Sequence, residues 1–133
     1  MNTIYLDNSA TTRVSQAAAT AAMKAMTESF GNPSSGHACG RDAGRILADS
    51  RSVLAKALGA SSDEVFFTSG GTEADNWAII CGAGHNARVG KHVVTTAVEH
   101  DAVLKSAERL KADGFEVEYI KPDGEGNITV EQV

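Results

Sequence analysis

The chain has 133 residues, 42% hydrophobic and 22% charged, with 12 basic against 17 acidic side chains for a formal net charge of −5. That length supports one ordinary domain burying roughly two-thirds of its unfolded surface, and the composition excludes a disordered chain. Negative charge without a basic cluster argues against nucleic acid or anionic lipid as a partner, the longest nearly apolar run (77–84) is too short to cross a membrane, and no secretory leader pattern opens the sequence.

Residues 1–6 are short and partly apolar and run into the polar stretch Asp7-Asn8-Ser9-Ala10-Thr11-Thr12. Ser15 is a suitable N-cap for a helix reaching about residue 29, because the alanines that follow favour helix and Met23, Met26 and Phe30 fall on one face. Gly31-Asn32-Pro33 ends it. The spacing predicts a longer helix over 37–58, with Ala43, Ile46, Leu47, Ser50, Leu54, Ala57 and Leu58 as its buried stripe and Gly59 just past its end.

Beyond Gly59 the pattern changes. Residues 64–69 (EVFFTS), 91–97 (KHVVTTA) and 115–120 read as strands, and 72–82 and 101–113 as the helices between them. Val103, Leu104, Ala107 and Leu110 share one face of the second helix, which Gly114 closes. A β-α-β-α-β core preceded by two helices predicts α/β architecture with right-handed crossovers. Asp123-Gly124-Glu125-Gly126 is a turn, and Thr129-Val130-Glu131-Gln132 looks like the cap and first turn of a further helix, so the sequence reads as the opening part of something longer.

Ligands of open α/β sheets bind beyond the carboxyl ends of the strands. Two segments qualify. In Ser69-Gly70-Gly71-Thr72-Glu73 the glycines permit a sharp turn and a close approach, and the helix N–H groups with the Thr72 hydroxyl would face an anion, most simply a phosphate. The same residues also suit a plain tight turn with Thr72 as N-cap. Val98-Glu99-His100-Asp101 follows the next strand, where the His100 imidazole can stack, shuttle protons or cap a helix, and Glu99 and Asp101 suit solvated or capping roles. The P-loop and dinucleotide glycine patterns are absent. His37-x-Cys39 is too little for zinc, so no metal site is expected. His85 and His92 lie at the wrong end of the second strand, and Trp77 is expected to pack. Cys39 and Cys81 make no disulfide framework. They are expected as small buried side chains, and the chain is expected in a reducing cytoplasm.

Four segments occur in order: Tyr5-Leu6-Asp7-Asn8-Ser9-Ala10-Thr11-Thr12, Phe30-Gly31-Asn32-Pro33-Ser34-Ser35-x-His37, Phe67-Thr68-Ser69-Gly70-Gly71-Thr72-Glu73-Ala74-Asp75-Asn76, and Glu99-His100-x-Ala102-Val103. In this combination the sequence closely resembles the N-terminal part of cysteine desulfurases of the NifS/IscS type, in the class V aminotransferase family of pyridoxal-phosphate (PLP) enzymes. The resemblance implies the N-terminal portion of a fold type I PLP-transferase large domain, with 1–14 as a segment of the substrate-binding side and 15–133 as an incomplete large domain. It implies that Gly71 and Thr72 hold the cofactor phosphate and that His100 stacks on the pyridine ring and assists proton transfer. It places Asn8 and Ala10 near the substrate, L-cysteine. In such enzymes PLP is the electron sink, and a cysteine on a mobile loop takes the substrate sulfur as a persulfide, used for iron–sulfur cluster assembly.

The departures are as informative. The family's Schiff-base lysine stands in a Ser-x-His-Lys context, which none of Lys24, Lys56, Lys91, Lys105, Lys111 and Lys121 has. The aspartate facing the pyridine nitrogen, its neighbouring glutamine, the carboxylate-binding arginine and the persulfide cysteine have no counterparts either. In the family sheet, strand 64–69 pairs with strands from later sequence, so its edge and the apolar helix faces are expected to need a C-terminal complementing chain, to self-associate or to re-pair. The chain alone is expected to lack desulfurase activity. Other class V activities (selenocysteine lyase, aminotransferase) and a non-catalytic phosphate-binding module are the alternatives.

Overall fold

The computed structural model describes residues 4–133. They form two compact units, one ending at Phe66 and the other running from Phe67 to Val133.

In the first unit, α1 (Gln16–Thr27) starts where Ser15 Oγ accepts from the Ala18 N–H at 3.2 Å and ends as the Glu28 N–H returns to Lys24 O. The predicted apolar face is formed but not covered: Met23, Met26 and Phe30 are 60%, 67% and 75% exposed. α2 (Ala38–Leu58) is capped by a residue the sequence did not nominate for it. His37 Nδ1 accepts from the Gly40 N–H at 3.3 Å. At its other end Gly59 adopts φ 69°, with Ala60 N–H on Ala55 O and Gly59 N–H on Lys56 O, a Schellman closure that needs a left-handed residue.

The buried face of α2 is not the predicted stripe. Gly40 and Ala55 are buried, Ala43, Gly44 and Arg51 half-buried, while Ile46, Leu47, Leu54 and Leu58 are exposed. Small residues won because what packs on α2 is backbone. A Cβ on Gly31 would overlap the Cys39 carbonyl, and one on Gly40 would overlap the Ser35 carbonyl and lie 2.7 Å from Asn32 O. Loop 31–36 is folded for this approach by Asn32, whose Oδ1 takes the Ser34 N–H and whose carbonyl takes the Ser35 N–H. A 3-10 turn, Ser62–Glu64, follows α2, held by Ser61 N–H and Oγ–H donating to Glu64 Oε2.

The second unit opens with α3 (Gly71–Asn76), continues through a π turn (Trp77–Cys81) and finishes as α4 (Gly82–Asn86), so the predicted helix 72–82 is longer and carries an inserted residue. β1 (His92–Thr96) and β2 (Glu116–Ile120) pair in parallel, His92 opposite Glu116 through Thr96 opposite Ile120, and α5 (Asp101–Ala112) joins them as one β-α-β unit. α5 buries Ala102, Ser106, Ala107 and Leu110, with Val103 and Leu104 half-buried, close to the predicted face. Ile120 completes this core, and the buried Ser106 hydroxyl is satisfied by Ala102 O at 2.8 Å. Gly114 (φ 86°) closes α5 as Phe115 N–H reaches Leu110 O. Downstream, Asp123 Oδ1 takes the N–H groups of Glu125 and Asn127, and Thr129 with Gln132 forms the predicted capping box over a 3-10 turn, Val130–Gln132.

One predicted strand is absent. Val65 is extended, with φ −105° and ψ 118°, but residues 65–68 join no ladder among the described residues. A strand exists through its neighbour, and here the Val65 carbonyl is instead taken by the Arg51 Nε–H at 3.1 Å.

Candidate functional site

The glycine turn is tied by its own side chains. Thr68 Oγ1 donates to Gly70 O at 3.1 Å, Ser69 donates both its N–H (2.6 Å) and its hydroxyl (2.7 Å) to Glu73 Oε2, and Asn76 Nδ2 donates to Thr72 O at 2.7 Å. The two Ser69 bonds favour the charged carboxylate, so the Glu73 carboxyl lies below its ordinary value. Glu73 is a participant that the residue types alone did not flag. Its signal is a capping-box pair, hydroxyl and glutamate, spaced one residue wider than usual.

The first helical bond runs from Ala74 N–H to Gly70 O, so the N–H groups of Gly71, Thr72 and Glu73 stand ahead of it. Gly70 is the cap residue and Thr72 lies inside the first turn, which removes the reading of Thr72 as N-cap. A Cβ built on Gly70 or on Gly71 would meet nothing within 4 Å. Neither glycine is demanded by a neighbouring protein atom, nor has either a left-handed φ.

His100 ends the connection from β1 and caps α5, its Nδ1 accepting from the Ala102 N–H at 3.1 Å. Of the roles open to it, capping is therefore realised. Glu99 is turned back to Thr96, whose Oγ1 donates to Glu99 Oε1 at 2.9 Å, and Asp101 lies in the first turn of α5, where a carboxylate suits the helix dipole. α3 packs against α5, so the glycine turn and His100 lie at the starts of two contacting helices.

Asn8 and Ala10 belong to the first unit. Asn8 Nδ2 donates to Tyr5 O at 3.3 Å, and Ala10 N–H closes a turn on Asp7 O. Cys39 and Cys81 are free and exposed, which corrects the expectation of burial: Cys39 lies in the first turn of α2 and Cys81 ends the π turn. Trp77 is 52% exposed. His92 lies at the start of β1, its Nε2 3.5 Å from Glu118 Oε2. Lys121 follows β2 and is exposed, its carbonyl taken by Gln132 Nε2. Among the described residues no three His, Cys, Asp or Glu side chains gather as a metal site, and no helix is long and apolar enough to cross a membrane.

The family model for aminotransferase class-V matches residues 4–133. Cysteine desulfurase IscS of Methanosarcina thermophila is 44% identical over 130 residues, 98% of this chain and 32% of that one. Among solved structures, a NifS-like protein superimposes with a TM-score of 0.89 at 36% identity, over 97% of this chain and 35% of that one. A second, SspA in complex with cysteine, gives 0.87 at 32%, over 98% and 38%. The chain spans about a third of the length of the curated relatives it matches.

Proposed function

Because the chain belongs to the aminotransferase class-V family, we propose that its residues are the cofactor-holding N-terminal share of a PLP-dependent cysteine desulfurase, mobilising sulfur from L-cysteine for iron–sulfur cluster assembly. The observation that carries this is the glycine turn. It is pinned by Glu73 and Asn76, open above Gly70 and Gly71, and supplied with N–H groups not yet spent on the helix. These residues fit a phosphate: the backbone donors point out of a helix start and no Cβ fills the room beside them. PLP, when bound, supplies an electron sink for the bonds around the substrate α-carbon.

In this reading Gly71 and Thr72 bind the phosphate, Thr72 adding its hydroxyl, and Glu73 holds the turn in shape. His100 lies over the ring face. Residues 1–14, with Asn8 and Ala10, serve the substrate side, and 15–133 the large domain. The amine that tethers PLP and the thiol that accepts sulfur are not among these residues, so the chain needs a complement that carries them, or self-associates over its uncovered faces. The exposed Met23, Met26 and Phe30 of α1 support such association. Two free cysteines suit a reducing cytoplasm.

The test is PLP titration followed by absorbance and fluorescence. The chain is expected to bind PLP, and Thr72→Ala to weaken it by roughly tenfold, the value of one hydrogen bond to a charged group. Equal affinity in the variant, or no binding at all, would overturn the reading. Sulfide release from L-cysteine is expected to be nil for the 133-residue chain alone, and light scattering is expected to show a species larger than a monomer at micromolar concentration unless the complement is present.

A further inference from the structure

The backbone connecting β1 to α5 does not hold itself. Ala97 N–H still belongs to the sheet, meeting Ile120 O at 2.8 Å, and α5 begins at Asp101. Between them, among the described residues, no N–H of Val98, Glu99 or His100 meets a backbone carbonyl. One side chain stands in. Thr96, the last residue of β1, accepts from the Val98 N–H at 3.4 Å and donates its own hydrogen to Glu99 Oε1 at 2.9 Å. A hydroxyl has one hydrogen to give and lone pairs to receive with. Glu99 takes that hydrogen and so turns the lone pairs toward Val98. Thr96 is itself half-buried and held in the ladder opposite Ile120. At the far end of the connection His100 is seated on α5 through the Ala102 N–H.

We propose that Glu99 is a positioning residue for His100: by clasping Thr96 it fixes the start of α5 against the carboxyl end of β1, and so fixes where the imidazole stands over the cofactor. This rests on the reading that His100 meets the cofactor. The ring then has two anchors of different kinds. Its bond to the Ala102 N–H sets its place on α5, and the Thr96–Glu99 clasp sets the place of that helix start relative to the sheet edge. Both matter, because a stacking plane and a proton relay work only at a set distance from the atoms they serve. Glu99 acts through Thr96 and not on the cofactor. What it contributes is an acceptor oxygen and not its charge, so an amide in its place keeps the clasp.

Proton–carbon NMR of the 133-residue chain without PLP tests this. Glu99→Ala and Thr96→Val are each expected to move the His100 ring signals toward free-histidine values and to speed exchange of the Val98 amide about fivefold, the worth of one hydrogen bond. Glu99→Gln should hold both at their wild-type values. His100 ring signals unchanged in Glu99→Ala and Thr96→Val would overturn the proposal. A Glu99→Gln chain that behaves as Glu99→Ala would overturn it too, since the charge would then be what matters. PLP titration adds a readout that a merely stabilising contact would not move. Glu99→Ala should weaken PLP about fivefold, and should weaken it no further in the His100→Ala background, because the two residues act as one. Equal losses in both backgrounds would overturn the proposal. An unaltered chain that binds no PLP would sink the phosphate-turn reading, and the cofactor-free ring signals would still decide this one.

Discussion

The two units use glycine for opposite purposes. In the first, Gly31 and Gly40 exist because backbone lies where a side chain would be, and the contact between loop 31–36 and α2 stands in for a core of which, among the described residues, only Gly40 and Ala55 are buried. In the second, the core is made of side chains from α5 and β2, and a Cβ on Gly70 or Gly71 would meet nothing within 4 Å. A glycine that the fold does not need is free to serve a ligand. The comparison separates glycines that packing requires from glycines that it leaves open.

The largest effect is expected in the side-chain core. Leu110→Ala should lower the unfolding free energy of the second unit by about 4 kcal/mol, measured by urea unfolding, because the residue is only 1% exposed. Gly40→Ala should follow at about 3 kcal/mol, with hydrogen exchange accelerated over 31–44, because both groups a Cβ would meet include backbone that cannot rotate away. Gly71→Ala should break the parallel: folding changes by less than about 1 kcal/mol, since helix favours alanine, while PLP affinity drops about tenfold as the methyl fills the space beside the N–H groups. If Gly71→Ala instead unfolds the chain, the glycine turn is structural after all.

Glu73 gives the smallest and most diagnostic effect. Its carboxyl is held below the ordinary value of 4.5 by the Ser69 N–H and hydroxyl. A depressed carboxyl stabilises above its unfolded value and loses that contribution as pH falls through the folded one. Protection of the Ser69 amide should therefore be constant near neutrality and fall only below pH 4.5, while Glu73→Gln should show weaker protection at all pH values, with the acid step gone. An acid step that survives Glu73→Gln would assign it to another carboxylate.

Much of this was legible because it is local. Ser15 as a cap, Gly59 and Gly114 as left-handed closures and the capping box at Thr129 are each settled within a few residues, and β1 and β2 came within a residue or two of their predicted ends. Gly71, Thr72 and His100 were nominated by residue type and by a sheet edge, but the strand expected to lead into the glycine turn does not form among the described residues. Capping was one of three roles open to His100, and the structure realises it; what escaped was the use of His37 as a cap and of Glu73 as the turn's lock, because residue type does not reveal which of several partners a polar side chain takes.

Covering and pairing were decided by the tertiary structure. Helical spacing put Ile46, Leu47 and Leu54 on one face, yet they are exposed, and residues 65–68 have the composition of a strand but join no ladder among the described residues. The sequence by itself determined where helices and turns begin and end, through caps, glycines and propensity, since those terms are settled by atoms a few residues apart. Tertiary structure alone decided which apolar faces are buried, which extended segment becomes a strand and which glycines are free, since each depends on whether atoms distant in the chain arrive to fill the space.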